Sequence, residues 1–203
     1  MLSISFDINL TAIIPSMSVE QEHHCQDIEN YDLNLFFQEG VGIGKKVLIL
    51  GESPAENGWR KSGKACYTPK GKLLPTGKRL NELLEPFNLS VETCAFTELA
   101  KCFVGKNRQL LLKCSQNCWP ILTKQLESKN IELIISLGAQ TIEIINFISF
   151  NKLKIGELSK IIINNHEYSI LPIYHPSPIN PYGRQKNLDI ISRNKISLRQ
   201  IVF

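Results

Sequence analysis

The chain of 203 residues is long enough for one domain with a hydrophobic core of its own and too short for two comfortable ones. Its 43% hydrophobic and 21% charged residues are ordinary for a soluble globular protein, and no apolar run approaches the ~20 residues that span a bilayer, so we expect no membrane partner. The net charge of +4 favours an anionic partner only slightly, and six cysteines without an export signal favour reduced thiols or metal ligands in a cytoplasmic protein, nucleoid-associated if the source is prokaryotic.

The first part of the chain is predicted to be an extension, residues 1–44, that packs on a core domain of residues 45–203. Within the extension, residues 2–14 predict a short strand or helix and residues 32–38 a helix. The alternate glycines of residues 40–44 come before the first predicted strand. A dinucleotide fingerprint follows a strand, so this segment is predicted to be a loop.

The core domain alternates apolar runs typical of buried strands with patterns typical of helices. Strands are predicted at residues 46–50, 93–99, 131–137, 161–163 and 168–173, the last two as a hairpin, and helices at 76–84, 109–129 (interrupted at Pro120), 141–150 and 187–200. Such alternation is typical of a parallel sheet covered on both faces. The predicted fold is α/β: a three-layer α/β/α sandwich around a central, mainly parallel four-stranded sheet.

Two short turns carry the strongest chemical signal. Gly51-Glu52-Ser53-Pro54 follows the first apolar run, and His175-Pro176-Ser177-Pro178 follows the last. Ligands of open parallel sheets bind outside the carboxyl ends of the strands, so both turns are predicted to face one cleft. A carboxylate and an imidazole there suit the departure of a leaving group that needs its negative charge stabilised.

The order of these motifs resembles the uracil-DNA glycosylase superfamily, most closely its iron–sulfur-containing microbial branch. The resemblance spans roughly residues 46–193 and is carried by Gly51-Glu52-Ser53-Pro54-Ala55, Ser62-Gly63-Lys64-Ala65-Cys66-Tyr67, Lys101-Cys102, Asn107-Arg108, Cys118, Ser136-Leu137-Gly138-Ala139 and His175-Pro176-Ser177-Pro178. It implies a glycosylase-type fold, single- or double-stranded DNA as partner, a monomer, and hydrolysis of the N-glycosidic bond of uracil or another altered base after base flipping. Neither turn holds a lysine, so Schiff-base lyase chemistry is not indicated.

The resemblance implies two catalytic residues. His175 is the candidate donor to the base oxygen that becomes anionic, which stabilises the transition state more than the substrate. Glu52 either positions the attacking water or offsets positive charge on the sugar. Ser53, beside it, is a candidate contact to the base.

Two further residues are implied to contact the base. Tyr67 is the candidate aromatic floor, although the family usually has phenylalanine where this chain has Cys66; Trp59 is the alternative. Glu98 stands where the family has the asparagine that reads the pairing edge of the base. An ionised glutamate only accepts hydrogen bonds, so it would oppose uracil O4 and prefer a base with an exocyclic amine, unless it is held protonated.

The loop after His175 resembles the segment with which these enzymes hold the DNA backbone. Ser177 is a candidate phosphate donor, and Pro178 with Ile179 a candidate apolar wedge. Arg184 and Lys186 are candidate phosphate contacts, although either alone is more commonly a solvated surface cation.

The cysteines match the cluster ligands of that branch only in part. Cys102 and Cys118 have the spacing of the second ligand pair, but the first pair is not intact. Cys114 or Cys25 could complete a set, and cysteine ligation is what four-iron clusters use. We expect no cofactor, with a [4Fe-4S] cluster as the alternative.

Departures at Glu98, Cys66 and the cysteine set leave two rivals open. One is a non-catalytic nucleic-acid-binding relative with the same fold. The other is an enzyme that acts on free nucleosides or nucleotides.

Overall fold

The computed structural model describes residues 32–55, 58–180 and 183–203. The strands are β1 (Phe37–Gln38), β2 (Val47–Gly51), β3 (Ala95–Glu98), β4 (Leu133–Leu137), β5 (Ser159–Ile163) and β6 (His166–Ile173). The helices are α1 (Trp59–Ser62), α2 (Pro75–Leu84), α3 (Arg108–Ser128), α4 (Ala139–Ser149) and α5 (Gly183–Val202), with short 3-10 helices at Gly42–Lys46 and Glu85–Phe87. Within these ranges no helix is long and apolar enough to cross a membrane.

The strands form one sheet in the order β1-β3-β2-β4-β6-β5. The four central strands are parallel to their neighbours, whereas β1 and β5 pair antiparallel at the two edges. The predicted α/β fold, with its parallel four-stranded centre and its hairpin of β5 with β6, is therefore confirmed. The predicted strand count of four is wrong: the hairpin adds β5, and β1 has two residues, too few for a periodic pattern.

Helices cover both faces of the sheet, so the predicted three layers are confirmed. Alternate residues of β2 divide between two cores, with Ile49 on one face and Leu48 and Leu50 on the other. The first core receives α2 and α5, and the second receives α3 and α4. Burial on both faces explains why β2 is apolar up to its closing glycine and why β4 is apolar except for Ser136.

The predicted helix over residues 32–38 is wrong, because this segment is a turn followed by β1. Phe36, in the turn with φ of +50°, packs in the first core, and Phe37, at the start of β1, packs in the second, so the two rings do not share one helical face. Residues 2–14 lie outside the described residues, so the strand or helix expected there stays a prediction. The division of the chain into an extension and a core domain at residue 44 also stays a prediction.

The predicted interruption at Pro120 is also wrong, because α3 runs through it from Arg108 to Ser128. Proline cannot donate to the carbonyl four residues earlier, which is that of Gln116. Both residues are exposed, so water can take the place of the missing donor.

Candidate active site

The candidate site lies at the edge of the sheet where the four parallel strands end. Glu98 ends β3, Glu52 follows β2, and His175 follows β6 by two residues. Because β4 lies between β2 and β6, the backbones that carry Glu52 and His175 are separated by two strand spacings, about 10 Å. That gap is wide enough for a pyrimidine ring.

Glu52 is half-buried and belongs to a chain of hydrogen bonds that ends on α3. Gln140, in the first turn of α4, satisfies both of its neighbours in one orientation of its amide, which we assign on that ground: the nitrogen donates to Glu52 Oε2 at 3.0 Å and the oxygen accepts from Arg108 Nε. Burial raises the pKa of Glu52, and the charge of Arg108 opposes that shift. Ser53, next in the turn, is also half-buried. The Gln140 amide therefore holds the carboxyl group in one orientation.

His175 is held by its neighbours in the chain and in space. The fully buried Asn187 accepts from the Tyr174 backbone N–H at 2.9 Å and donates to the Tyr174 carbonyl at 2.8 Å. Gly138, with φ of +95°, packs against it, since a Cβ there would lie 3.3 Å from the Cβ of His175. The side chain is exposed, yet surrounding atoms desolvate the imidazole enough to lower its pKa. At neutral pH the ring is therefore uncharged, with one N–H to donate.

Glu98 folds back over the end of β2. In the pairing of β2 with β3, Gly51 lies beside Glu98. A Cβ on Gly51 would lie 2.0 Å from Glu98 Oε2. A glycine at position 51 is therefore what leaves room for the carboxyl group. Oε2 is buried and has no hydrogen-bond partner within the described part of the chain. Burial raises the pKa of Glu98 to about 8; Lys101 opposes the shift and Glu52 adds to it.

Lys101 lies beneath Glu98 and is fully buried. Its ammonium group donates to the Glu98 carbonyl at 2.6 Å, to Gln125 Oε1 at 2.8 Å and to Thr97 Oγ1. Burial lowers the pKa of Lys101, and nearby Cys118 and Glu98 counter that shift. Three acceptors are the number that an ammonium group needs, so the network fixes the end of β3 to α3.

The candidate base-stacking residue Tyr67 is half-buried against the first core, with Lys64 Nζ 4.1 Å from its ring centroid. Cys66 precedes it with φ of +63°. Trp59, the alternative, is buried and meets Phe36 edge to face at 5.8 Å between ring centroids. Tyr67 is thus the more accessible of the two rings.

The loop after His175 is tied to α2 by Arg79, which donates to the carbonyls of Ser177 at 2.6 Å and Asn180 at 3.4 Å. Ser177 Oγ accepts from the Ile179 N–H at 3.3 Å. Pro178 is exposed and Ile179 is 90% exposed, so both apolar side chains stand free of the protein surface.

The two candidate phosphate contacts on α5 differ in their surroundings. Arg184 Nε lies 2.7 Å from Glu82 Oε2 on α2, so this cation has an acidic partner. Lys186 is exposed, with Nζ 5.2 Å from the ring centroid of Tyr174. Of the two, Lys186 is the one without a carboxylate beside it among the ion pairs of the described residues.

The cysteines lie behind the site, under α3. Cys102, Cys114 and Cys118 are buried, and Cys118 Sγ accepts from the Lys101 backbone N–H at 3.3 Å. Across the ranges that the structure describes, no three His, Cys, Asp or Glu side chains form a group that could hold a metal ion. Cys25 lies outside those ranges. A four-cysteine cluster would need a fourth thiol besides these three.

Three contributors to the site were not predicted from the sequence. Gln140 orients Glu52, Lys101 anchors the end of β3, and Arg79 holds the loop after His175. Gln140 could have been found, because a helix that starts directly after a strand presents its first turn to the same edge. Arg79 gave no such signal, since its partner Ser177 is 98 residues away. Lys101 belonged to a motif that carried the resemblance, but its contact with Gln125, 24 residues away, could not be predicted from it.

Comparison with known proteins gives two findings. The family model described as Uracil DNA glycosylase superfamily matches residues 37–194, from β1 into α5. A relative from Saccharolobus solfataricus named Type-4 uracil-DNA glycosylase is 31% identical over 166 residues, which cover 78% of this chain and 73% of that protein.

Proposed function

The chain belongs to the uracil DNA glycosylase superfamily, and from this membership we propose that it is a cytoplasmic DNA glycosylase that hydrolyses the N-glycosidic bond of uracil or another altered base. The target nucleotide is flipped out of the DNA, because its reacting atoms are inaccessible inside a stacked duplex. The enzyme is monofunctional and acts as a monomer on single- or double-stranded DNA.

One observation carries the proposal. Glu52 and His175 come from different strands and both contact the segment that follows β4, Glu52 through Gln140 and His175 through Gly138. A carboxyl group and an imidazole on opposite sides of a gap of base width suit cleavage of a bond between a base and a sugar.

His175 stabilises the departing base. A neutral imidazole N–H directed at a base oxygen strengthens its hydrogen bond as that oxygen becomes anionic, so it favours the transition state over the substrate. The Asn187 contacts to Tyr174 support this role, because a donor must be oriented before the reaction to contribute fully. A single donor of this kind contributes about 10²–10³-fold in rate.

Glu52 acts on the sugar side of the bond. As a carboxylate it accepts a proton from the attacking water, or offsets the positive charge that develops on the sugar. Gln140 leaves one carboxyl oxygen available for this work, and Arg108 favours the ionised form. General-base catalysis contributes about 10²–10⁴-fold.

The remaining predicted residues bind the DNA. Tyr67 stacks on the flipped base, with Ser53 and Glu98 at its edge, and Pro178 with Ile179 fills the space that the base leaves. Ser177 and Lys186 contact phosphates, and Arg184 joins them only on release from Glu82. We expect this chemistry to proceed without a metal cluster.

The test is incubation of the purified protein with oligonucleotides that each carry one altered base, followed by alkali to cut abasic sites. We expect cleavage at uracil or another deaminated base, and a loss of at least a hundredfold in Glu52→Gln. Glu143→Gln is the matched control, an exposed glutamate on α4. Cleavage by Glu52→Gln at the wild-type rate would exclude its catalytic role, and binding without cleavage would favour the non-catalytic relative.

A further inference from the structure

The base edge of the site holds a carboxyl group with an unusual environment. Glu98 Oε2 is enclosed over Gly51 without a donor among the described residues, although an ionised carboxylate needs hydrogen-bond donors on both oxygens to be stable away from water. Enclosing a carboxyl oxygen without a donor costs less free energy when that oxygen is the carbonyl of a neutral acid than when it carries negative charge.

Charged and titratable groups reach Glu98 from three elements. Lys101 lies on its own strand end, Glu52 follows the neighbouring strand, and Cys66 belongs to the loop before α2. The ammonium group of Lys101 binds the backbone carbonyl of Glu98, Thr97 and Gln125, and no contact of it with the Glu98 carboxyl oxygens is among the hydrogen bonds of the described residues. Glu52 repels a second negative charge. The geometry thus gives an ionised Glu98 little compensation.

We propose that Glu98 is a neutral carboxylic acid when it contacts the base. Its Oε2 is the buried carbonyl oxygen, and its Oε1 hydroxyl donates to a carbonyl oxygen on the flipped base. This inference rests on the proposed glycosylase function and names its substrate class. A donor at this edge pairs with O4 of uracil or O6 of hypoxanthine, where cytosine and adenine carry an amine. The site therefore selects uracil over cytosine and hypoxanthine over adenine, the opposite of what an ionised glutamate would select.

The chemistry agrees with the environment of the group. Burial raises the pKa of Glu98 to about 8, so the acid form predominates at neutral pH and is lost as the pH rises through that value. Glu98→Gln keeps the size of the side chain and supplies an amide donor that does not titrate.

The first test measures single-turnover excision between pH 7 and pH 9 on oligonucleotides with uracil, hypoxanthine or cytosine. We expect wild-type excision of a deaminated base to fall about tenfold over this range, and the ratio of rates at the two pH values to be nearly flat in Glu98→Gln. The control is Glu157→Gln, because Glu157 is exposed and far from Glu98 in the sequence. Its excision rates should show the same pH dependence as those of the wild type. Titration of the base itself affects all three proteins equally.

Two results would overturn the inference: the same fall in wild type and Glu98→Gln, or wild-type preference for cytosine over uracil and hypoxanthine. The uracil and hypoxanthine oligonucleotides separate the two carbonyl sources. If the wild type excises no base at all, the proposed function fails, and a second measurement still decides the state of Glu98.

The second measurement is the unfolding equilibrium in urea at pH 5 and pH 7.5. A carboxyl group that stays protonated when folded and ionises when unfolded makes the protein less stable as the pH rises between its two pKa values. The unfolding constant of the wild type should therefore rise roughly a hundredfold relative to that of Glu98→Gln. A ratio that does not change with pH would show that Glu98 is ionised in the folded protein.

Discussion

Replacement of Lys101 by methionine tests the network that anchors the base-reading edge of the site. Methionine keeps an unbranched side chain of similar length and removes all three donors. Thr97 Oγ1, Gln125 Oε1 and the Glu98 carbonyl then lose the ammonium group that they share. The change is confined to a fully buried position, so water does not readily replace the lost donors.

The magnitude follows from two opposing contributions. Thr97 Oγ1 and the Glu98 carbonyl each lose a buried donor at a cost of about 1–3 kcal/mol, or about 2–6 kcal/mol together, whereas Gln125 Oε1 still accepts from the Thr97 hydroxyl at 2.9 Å. Removal of a buried charge returns part of this loss as desolvation energy. The net loss is therefore about 2 kcal/mol, which for a protein of this size lowers Tm by about 4–8 °C.

Thermal unfolding followed by circular dichroism measures this loss, with Lys113→Met as control because Lys113 is exposed on α3, the helix that carries Gln125. The control should melt within about 2 °C of the wild type, in line with the small effects of exposed substitutions. Equal melting of Lys101→Met and the control would refute the claim that the ammonium group binds these three acceptors together.

Three further predictions concern the edge of the cleft and the cysteines. Gly138→Ala should lower the free energy of unfolding, measured in urea, by about 1–3 kcal/mol, because φ is +95° and the new Cβ would lie 3.3 Å from the Cβ of His175. An unchanged urea midpoint would contradict that packing. Arg79→Ala should weaken binding of oligonucleotides in fluorescence anisotropy several-fold more than Lys78→Ala, its exposed neighbour, because it frees the loop that carries Ser177; equal binding would remove the loop from the interface. Iron analysis of protein purified without oxygen should find no stoichiometric iron, and four irons per chain with visible absorbance would show that Cys102 and Cys118 hold a cluster after all.

The central strands could be predicted from the sequence, because β2 and β4 are buried on both faces and therefore appear as short apolar runs typical of buried strands. Prediction failed where local pattern and tertiary contact diverge. The pattern around Phe36 and Phe37 predicted a helix, but the two side chains pack in different cores. Pro120 was expected to interrupt a helix, but it lies on the exposed side of α3, which continues through it.

Within the candidate site, the strand-end rule placed Glu52 and His175 at one edge of the sheet, and the resemblance added Glu98; in the structure all three lie at that edge. What the sequence could not reveal was the state of Glu98. That depends on Gly51, 47 positions earlier, whose missing side chain lets the carboxyl group fold over β2 and enclose Oε2. Protonation follows from enclosure, and enclosure is a tertiary property.

The most direct test of the account is mass spectrometry of a uracil-containing oligonucleotide after incubation with the protein, without alkali. A monofunctional glycosylase releases free uracil and leaves an abasic site with the phosphodiester backbone intact, in equal amounts, and we expect both products. An oligonucleotide that is bound but chemically unchanged, or a strand cut at the uracil position, would contradict the account.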